Sequence, residues 1–156
     1  MIFKDGGAVT IKAIEEKAEI LNCQFNYPAR LACVISAMET QYSPGVVIIS
    51  GCLFVGPTGQ TAPISPTSAI RFERAKNLTI SNNIFKNGAY IYDSATVLAQ
   101  RSFNISILNN VFSQKEGDMD RGLSIVFGNP SNSYEAYSQN VQIIGNVFTN
   151  EELAQP

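Results

Sequence analysis

Apolar and polar residues alternate in a short phrase that returns five times, closing each time on a phenylalanine: Phe25, Phe54, Phe85, Phe112 and Phe148. The plainest copies are Asn77-Leu-Thr-Ile-Ser-Asn-Asn-Ile-Phe85, Asn104-Ile-Ser-Ile-Leu-Asn-Asn-Val-Phe112 and Asn140-Val-Gln-Ile-Ile-Gly-Asn-Val-Phe148. Looser copies are Val46-Val-Ile-Ile-Ser-Gly-Cys-Leu-Phe54 and Lys17-Ala-Glu-Ile-Leu-Asn-Cys-Gln-Phe25. Aligned on the phenylalanine, one column reads Ala18, Val47, Leu78, Ile105, Val141, and two residues on another reads Ile20, Ile49, Ile80, Ile107, Ile143. Positions two apart share one face of a strand, so both columns are expected to face a core. The column between them, Glu19, Ile48, Thr79, Ser106, Gln142, is mostly polar and suits an outer face. β-Branched residues dominate, and no 3.6-residue period survives the Gly and Asn positions, so the pattern predicts strands and not helices.

The next column holds only Asn and Gly: Asn22, Gly51, Asn82, Asn109, Gly145. These are the residues that most readily take a left-handed backbone, which predicts a sharp turn at this point of every copy. After the turn come Cys23, Cys52, Asn83, Asn110 and Asn146. Asparagines at one position of neighbouring repeats can bond amide to amide, which predicts an inward ladder that the two thiols continue. The phenylalanines then return to the core. A further strand is predicted ahead of each phrase, at Val9-Thr-Ile11, Cys33-Val-Ile35, Ile70-Arg-Phe72, Val97-Leu-Ala99 and Leu123-Ser-Ile-Val-Phe127. Self-similarity every 27 to 36 residues marks a stacked, solenoidal architecture.

Over essentially its whole length this pattern resembles the right-handed parallel β-helix of pectate lyases and related proteins, including many phage tailspikes. The resemblance implies an all-β, single-stranded, right-handed parallel β-helix of about five coils, one domain over residues 1–156. It says little about chemistry, because that fold hosts many activities.

Eleven basic and 13 acidic residues give a net charge of −2, with no basic run of the kind that phosphate binding needs, so nucleic acid is not an expected partner. No apolar stretch approaches the roughly 18 residues of a membrane span, and the N-terminus does not read as a signal peptide. Ile2-Phe-Lys-Asp-Gly-Gly7 matches Ile84-Phe-Lys-Asn-Gly-Ala89, and no capping helix is legible at either end. The expectation is an excised segment of a longer chain, whose open strand edges favour association, with a trimer preferred.

The chain contains no histidine, which removes His-based triads and His metal sites. Three cysteines without a CxxC pair argue against zinc, no phosphate-binding Gly-rich loop is present, and no cofactor is expected. Cys23 and Cys52 share a column, which leaves a disulfide or two thiols in the ladder open; Cys33 reads as core.

The remaining chemistry is carboxylates, arginines and tyrosines. Asp118 and Asp120, with Glu116 beside them, are a candidate acid–base pair or weak calcium site, or a solvated acidic loop. Glu73, flanked by Arg71 and Arg74, aligns with Gln100 one repeat later and lies near Lys12 two repeats earlier. In pectate-lyase-like enzymes the substrate groove runs along the outer face of this strand sheet, which makes Glu73 a catalytic candidate by resemblance; a ladder of polar side chains explains it equally well. Tyr90 and Tyr92 adjoin Asp93, and Tyr134 and Tyr137 flank Glu135, joining flat rings to groups that bond hydroxyls, as sugar binding requires. With Arg71 they form the candidate carbohydrate-binding set. Tyr42 lies in a third insertion, Glu39 to Pro44, and Val55 to Ser68 reads as the longest loop.

The favoured function is a segment of a surface or virion protein, tailspike-like, that contacts bacterial polysaccharide. One alternative is a fragment of a secreted polysaccharide lyase, hydrolase or epimerase; another is a spacer in an adhesin-like stalk. All three place the chain outside the cell or on the virion surface.

Overall fold

The alternating columns pair one repeat with the next. The structure, a computed structural model, describes residues 1–3, 9–11, 16–26, 33–56, 68–86, 94–100, 103–115, 122–127 and 139–151, with the backbone alone at 3, 10–11, 33–44, 68, 71–76, 94–100, 114–115, 122–127 and 150–151. These residues form β1 (Ile2–Phe3), β2 (Val9–Ile11), β3 (Lys17–Leu21), β4 (Gln24–Asn26), β5 (Cys33–Ser50), β6 (Leu53–Val55), β7 (Ser68–Ser81), β8 (Ile84–Lys86), β9 (Ser94–Gln100), β10 (Phe103–Leu108), β11 (Val111–Lys115), β12 (Gly122–Phe127), β13 (Gln139–Ile144) and β14 (Val147–Glu151). The described chain is all-β, with no helix, and its strands lie in two parallel sheets.

One sheet has six strands in the order β1-β4-β6-β8-β11-β14, each one repeat from its neighbour, and it carries the phenylalanine column. The registers run Phe3↔Phe25, Phe25↔Phe54, Phe54↔Phe85, Phe85↔Phe112 and Phe112↔Phe148. Ile2–Phe3 therefore takes the place in its row that Ile84–Phe85 takes three strands on, as the matching segments predict.

The second sheet has eight strands, and β5 and β7 each run through two of its reaches. The first reach of β5 pairs with β2 and with the start of β7, which continues to β9 and then β12. The second reach pairs β3, β5, β7, β10 and β13, with Ala18↔Val47↔Leu78↔Ile105↔Val141 and Ile20↔Ile49↔Ile80↔Ile107↔Ile143 in register. Cys33-Val-Ile35 and Ile70-Arg-Phe72, expected as separate short strands, are the opening parts of β5 and β7. Pro44-Gly45 does not end β5; the chain passes it with register shifts between Met38 and Ser43 and between Ser43 and Val46.

The core follows from the alternation. Val47, Ile49, Leu78, Ile80, Ile105 and Ile107 are buried, as are Phe25, Phe54, Phe85 and Phe112. Each contributes roughly 1.5–3 kcal/mol by leaving water. The rings from Phe25 to Phe148 stack in one file with centroids 5.0, 4.8, 4.8 and 4.9 Å apart and planes within 11° of parallel. The last repeat is the open one: Ile143, Ile144, Val147 and Phe148 are exposed.

Every predicted turn residue has a left-handed backbone: Asn22 (φ 53°), Gly51 (67°), Asn82 (55°), Asn109 (53°) and Gly145 (67°). The amides of Asn22, Gly51, Asn82 and Asn109 donate to the carbonyls of Ser50, Ser81, Leu108 and Ile144 in the following repeat, so pairing continues through the turn. Glycine is also a steric choice at 51 and 145, where a Cβ would collide with Oδ1 of Asn22 and of Asn109 respectively.

Candidate functional site

The turn delivers the next side chain inward, where the buried polar groups form a ladder. Oδ1 of Asn83 accepts from the Cys52 amide at 2.9 Å, and its Nδ2 donates to the Ile49 carbonyl at 3.0 Å and to Asn110 Oδ1 at 3.0 Å. Asn110 repeats the pattern one row on: Oδ1 accepts from the Asn83 amide at 2.9 Å, and Nδ2 donates to the Ile80 carbonyl and to Asn146 Oδ1, both at 2.9 Å. Asn146 in turn accepts from the Asn110 amide and donates to the Ile107 carbonyl. Each asparagine thus reaches back to the preceding repeat, and both amide protons of Asn83 and of Asn110 are used, which is what makes burial tolerable.

The thiols continue this row as expected, and the structure keeps both free. The Cys23 amide donates to Cys52 Sγ at 3.4 Å, and Cys52 Sγ in turn donates toward the Ile20 and Ser50 carbonyls at 3.5 and 3.4 Å. Cys23 Sγ donates to the Leu21 carbonyl at 3.3 Å. Burial, countered in part by the Cys23 amide, pushes the Cys52 thiol above its ordinary pKa.

A second, outer row runs through the first residue of the three plainest phrases. Asn104 Nδ2 donates to Asn77 Oδ1 at 2.9 Å, and Asn140 Nδ2 donates to Asn104 Oδ1 at 2.7 Å. Asn104 and Asn140 are exposed and have left-handed backbones, φ 53° and 54°. This row is not among the sequence expectations, although Asn recurring at 77, 104 and 140 was its available signal. Beside it Ser81 donates to Ser50 at 3.1 Å, and an exposed ion pair joins Lys17 to Glu19 at 2.7 Å.

Of the residues singled out for chemistry, Arg71 and Glu73 lie on β7. Arg71 is in register with Ser36 on β5 and Leu98 on β9, and Glu73 with Met38 and Gln100. The alignment of Glu73 with Gln100 is therefore borne out, and Glu73 is the one carboxylate of that row among the described residues. Tyr42 lies within β5, where the register runs from Met38↔Glu73 to Ser43↔Ala75, so β5 carries extra residues at the insertion the sequence marks. Lys12, Tyr90, Tyr92, Asp93, Glu116, Asp118, Asp120, Tyr134, Glu135 and Tyr137 lie outside the described residues.

The register locates the last of these along the chain. Ala99 pairs with Phe127, and Phe103 with Gln139. Between the same two rows one repeat needs only residues 100–102, while the next spends 128–138, the stretch that holds Tyr134, Glu135 and Tyr137. No group of three potential metal ligands occurs among the described residues, and no helix there is long and apolar enough to cross a membrane. Compared with family models, curated proteins and solved structures, the chain gives no match in any of the three.

Proposed function

We propose that the chain is a segment of a right-handed parallel β-helix of about five coils, part of a surface or virion protein, that presents loop tyrosines to bacterial polysaccharide, with three chains associating. The observation that carries the reading is the in-register row structure: five stacked rings and a bonded asparagine row. Such rows make a stiff support from which variable segments can leave. Stiffness suits a long polymer ligand, since little ordering cost is then paid on binding. Tyrosine rings beside Asp93 and Glu135 supply flat apolar faces with acceptors for sugar hydroxyls. Glu73 is the one carboxylate of the Met38–Glu73–Gln100 row, which supports contact over a cleavage that needs paired acids.

A glycan array probed with the full chain tests this. Binding to at least one bacterial polysaccharide is expected. It should weaken in a Tyr90→Ala/Tyr92→Ala or a Tyr134→Ala/Tyr137→Ala variant while the melting temperature stays within about 2 °C. No binding by the unmodified chain, or loss of binding only in step with loss of folding, overturns the reading.

A further inference from the structure

The two thiols at the head of the inner row have a geometry that the asparagines below them lack. Cys23 and Cys52 are consecutive in one column, and the Cys23 amide donates to Cys52 Sγ, so the second sulfur reaches toward the first repeat. Two residues along, the rings of Phe25 and Phe54 report the separation of the same two repeats at side-chain level, 5.0 Å. A disulfide needs sulfurs about 2.05 Å apart on β-carbons near 3.8 Å. Forming one would draw these repeats together by about an ångström against the stacked rings, and both cysteines stay free. A cation held between two thiolates at roughly 2.3 Å each spans about 4.6 Å, close to what the rows already offer.

We infer that Cys23 and Cys52 form a two-coordinate site for a soft, closed-shell metal cation, the class of copper(I), silver(I) and mercury(II). Thiolates select that class. Among the described residues no third His, Cys, Asp or Glu joins the two thiols. On binding, the two S–H protons leave to solvent and two metal–sulfur bonds form, with no change of oxidation state. The Cys23 amide remains a donor to the Cys52 sulfur and offsets part of the buried charge. Cys23 is only half-buried, which gives the ion its way in, while Cys52 lies at the bottom of the site. The inference stands apart from the polysaccharide reading.

The test titrates silver(I) into the full chain in chloride-free buffer and reads stoichiometry by native mass spectrometry and sulfur coordination by X-ray absorption. The Cys33→Ser chain should bind one silver ion with two sulfur neighbours. Cys23→Ser and Cys52→Ser should each bind at least tenfold more weakly; serine keeps a small donor in the row, and circular dichroism checks that the strands persist. Undiminished silver binding in either variant, or a sulfur count other than two in the Cys33→Ser chain, overturns the site. The absorption measurement needs no row variant and decides the matter even if one fails to fold.

Discussion

Replacing Asn110 by leucine probes whether the inner row holds the repeats together or merely fills space. In the native chain Asn110 Oδ1 accepts two N–H groups of Asn83, from its backbone and from Nδ2, at 2.9 and 3.0 Å. Asn83 is 1 % exposed and Asn110 is 0 % exposed, so water cannot replace the lost acceptor. Two stranded buried donors cost about 1–3 kcal/mol each. Leucine returns roughly 1–2 kcal/mol as buried apolar surface, and Asn146 Oδ1 keeps the Asn110 backbone amide as donor. The net loss is about 3 kcal/mol, which for a chain of this size lowers the melting temperature by roughly 6–12 °C. Thermal unfolding followed by circular dichroism measures it, with Asn77→Ala as the outer-row comparison. Asn77 gives up one bond to an exposed partner, whose amide then turns to water, and should cost no more than about 0.5 kcal/mol. If Asn110→Leu melts within about 2 °C of the unmodified chain, the row is not a source of stability and the reasoning fails.

The ring file predicts an asymmetry: Phe112, between rings at 4.8 and 4.9 Å, should lose about 3–5 kcal/mol on change to alanine. Phe148, 55 % exposed, should lose less than half of that in urea unfolding, and equal losses would deny that the file matters. Stability should also fall with alkaline pH through Cys52, whose folded pKa lies above its ordinary 9.0. The unfolded thiol gives up its proton first, so this contribution is complete below about pH 9 and is lost as pH rises toward the folded value. Above about pH 9 the native chain should therefore lose melting temperature relative to Cys52→Ser, and parallel curves for the two would remove Cys52 as the cause.

The inner row, the ring file and the five turns were legible because each repeats one physical demand at one column. A left-handed backbone asks for Asn or Gly wherever it occurs, and a buried amide asks for a like neighbour one repeat away. The outer row is less legible because Asn77, Asn104 and Asn140 also open the phrase; its one sign in the sequence is their recurrence, and the left-handed backbone at 104 and 140 is seen only in the structure. The length of β5 escaped for the opposite reason. Pro44-Gly45 breaks the two-residue alternation, and proline lacks the donor an inner strand needs, yet the register shifts there let pairing resume at Val46.

Function is harder to read because a binding residue appears once and no column averages it into view. Repeat length supplies a different kind of signal. Neighbouring repeats are held in register at both ends of the interval, by Ala99↔Phe127 and by Phe103↔Gln139, so surplus chain cannot be absorbed within the paired rows. Between those two pairs one repeat has residues 100–102 and the next has 128–138. Tyr90, Tyr92 and Asp93 instead fall in an interval of 27 residues between row phenylalanines, against 36 for the interval that holds Tyr134, Glu135 and Tyr137. A segment that every repeat must have is explained by connection alone; a segment retained beyond that need is where selection for contact has room to act. Of the two tyrosine groups, Tyr134→Ala/Tyr137→Ala is therefore expected to weaken polysaccharide binding more than Tyr90→Ala/Tyr92→Ala on the same glycan array.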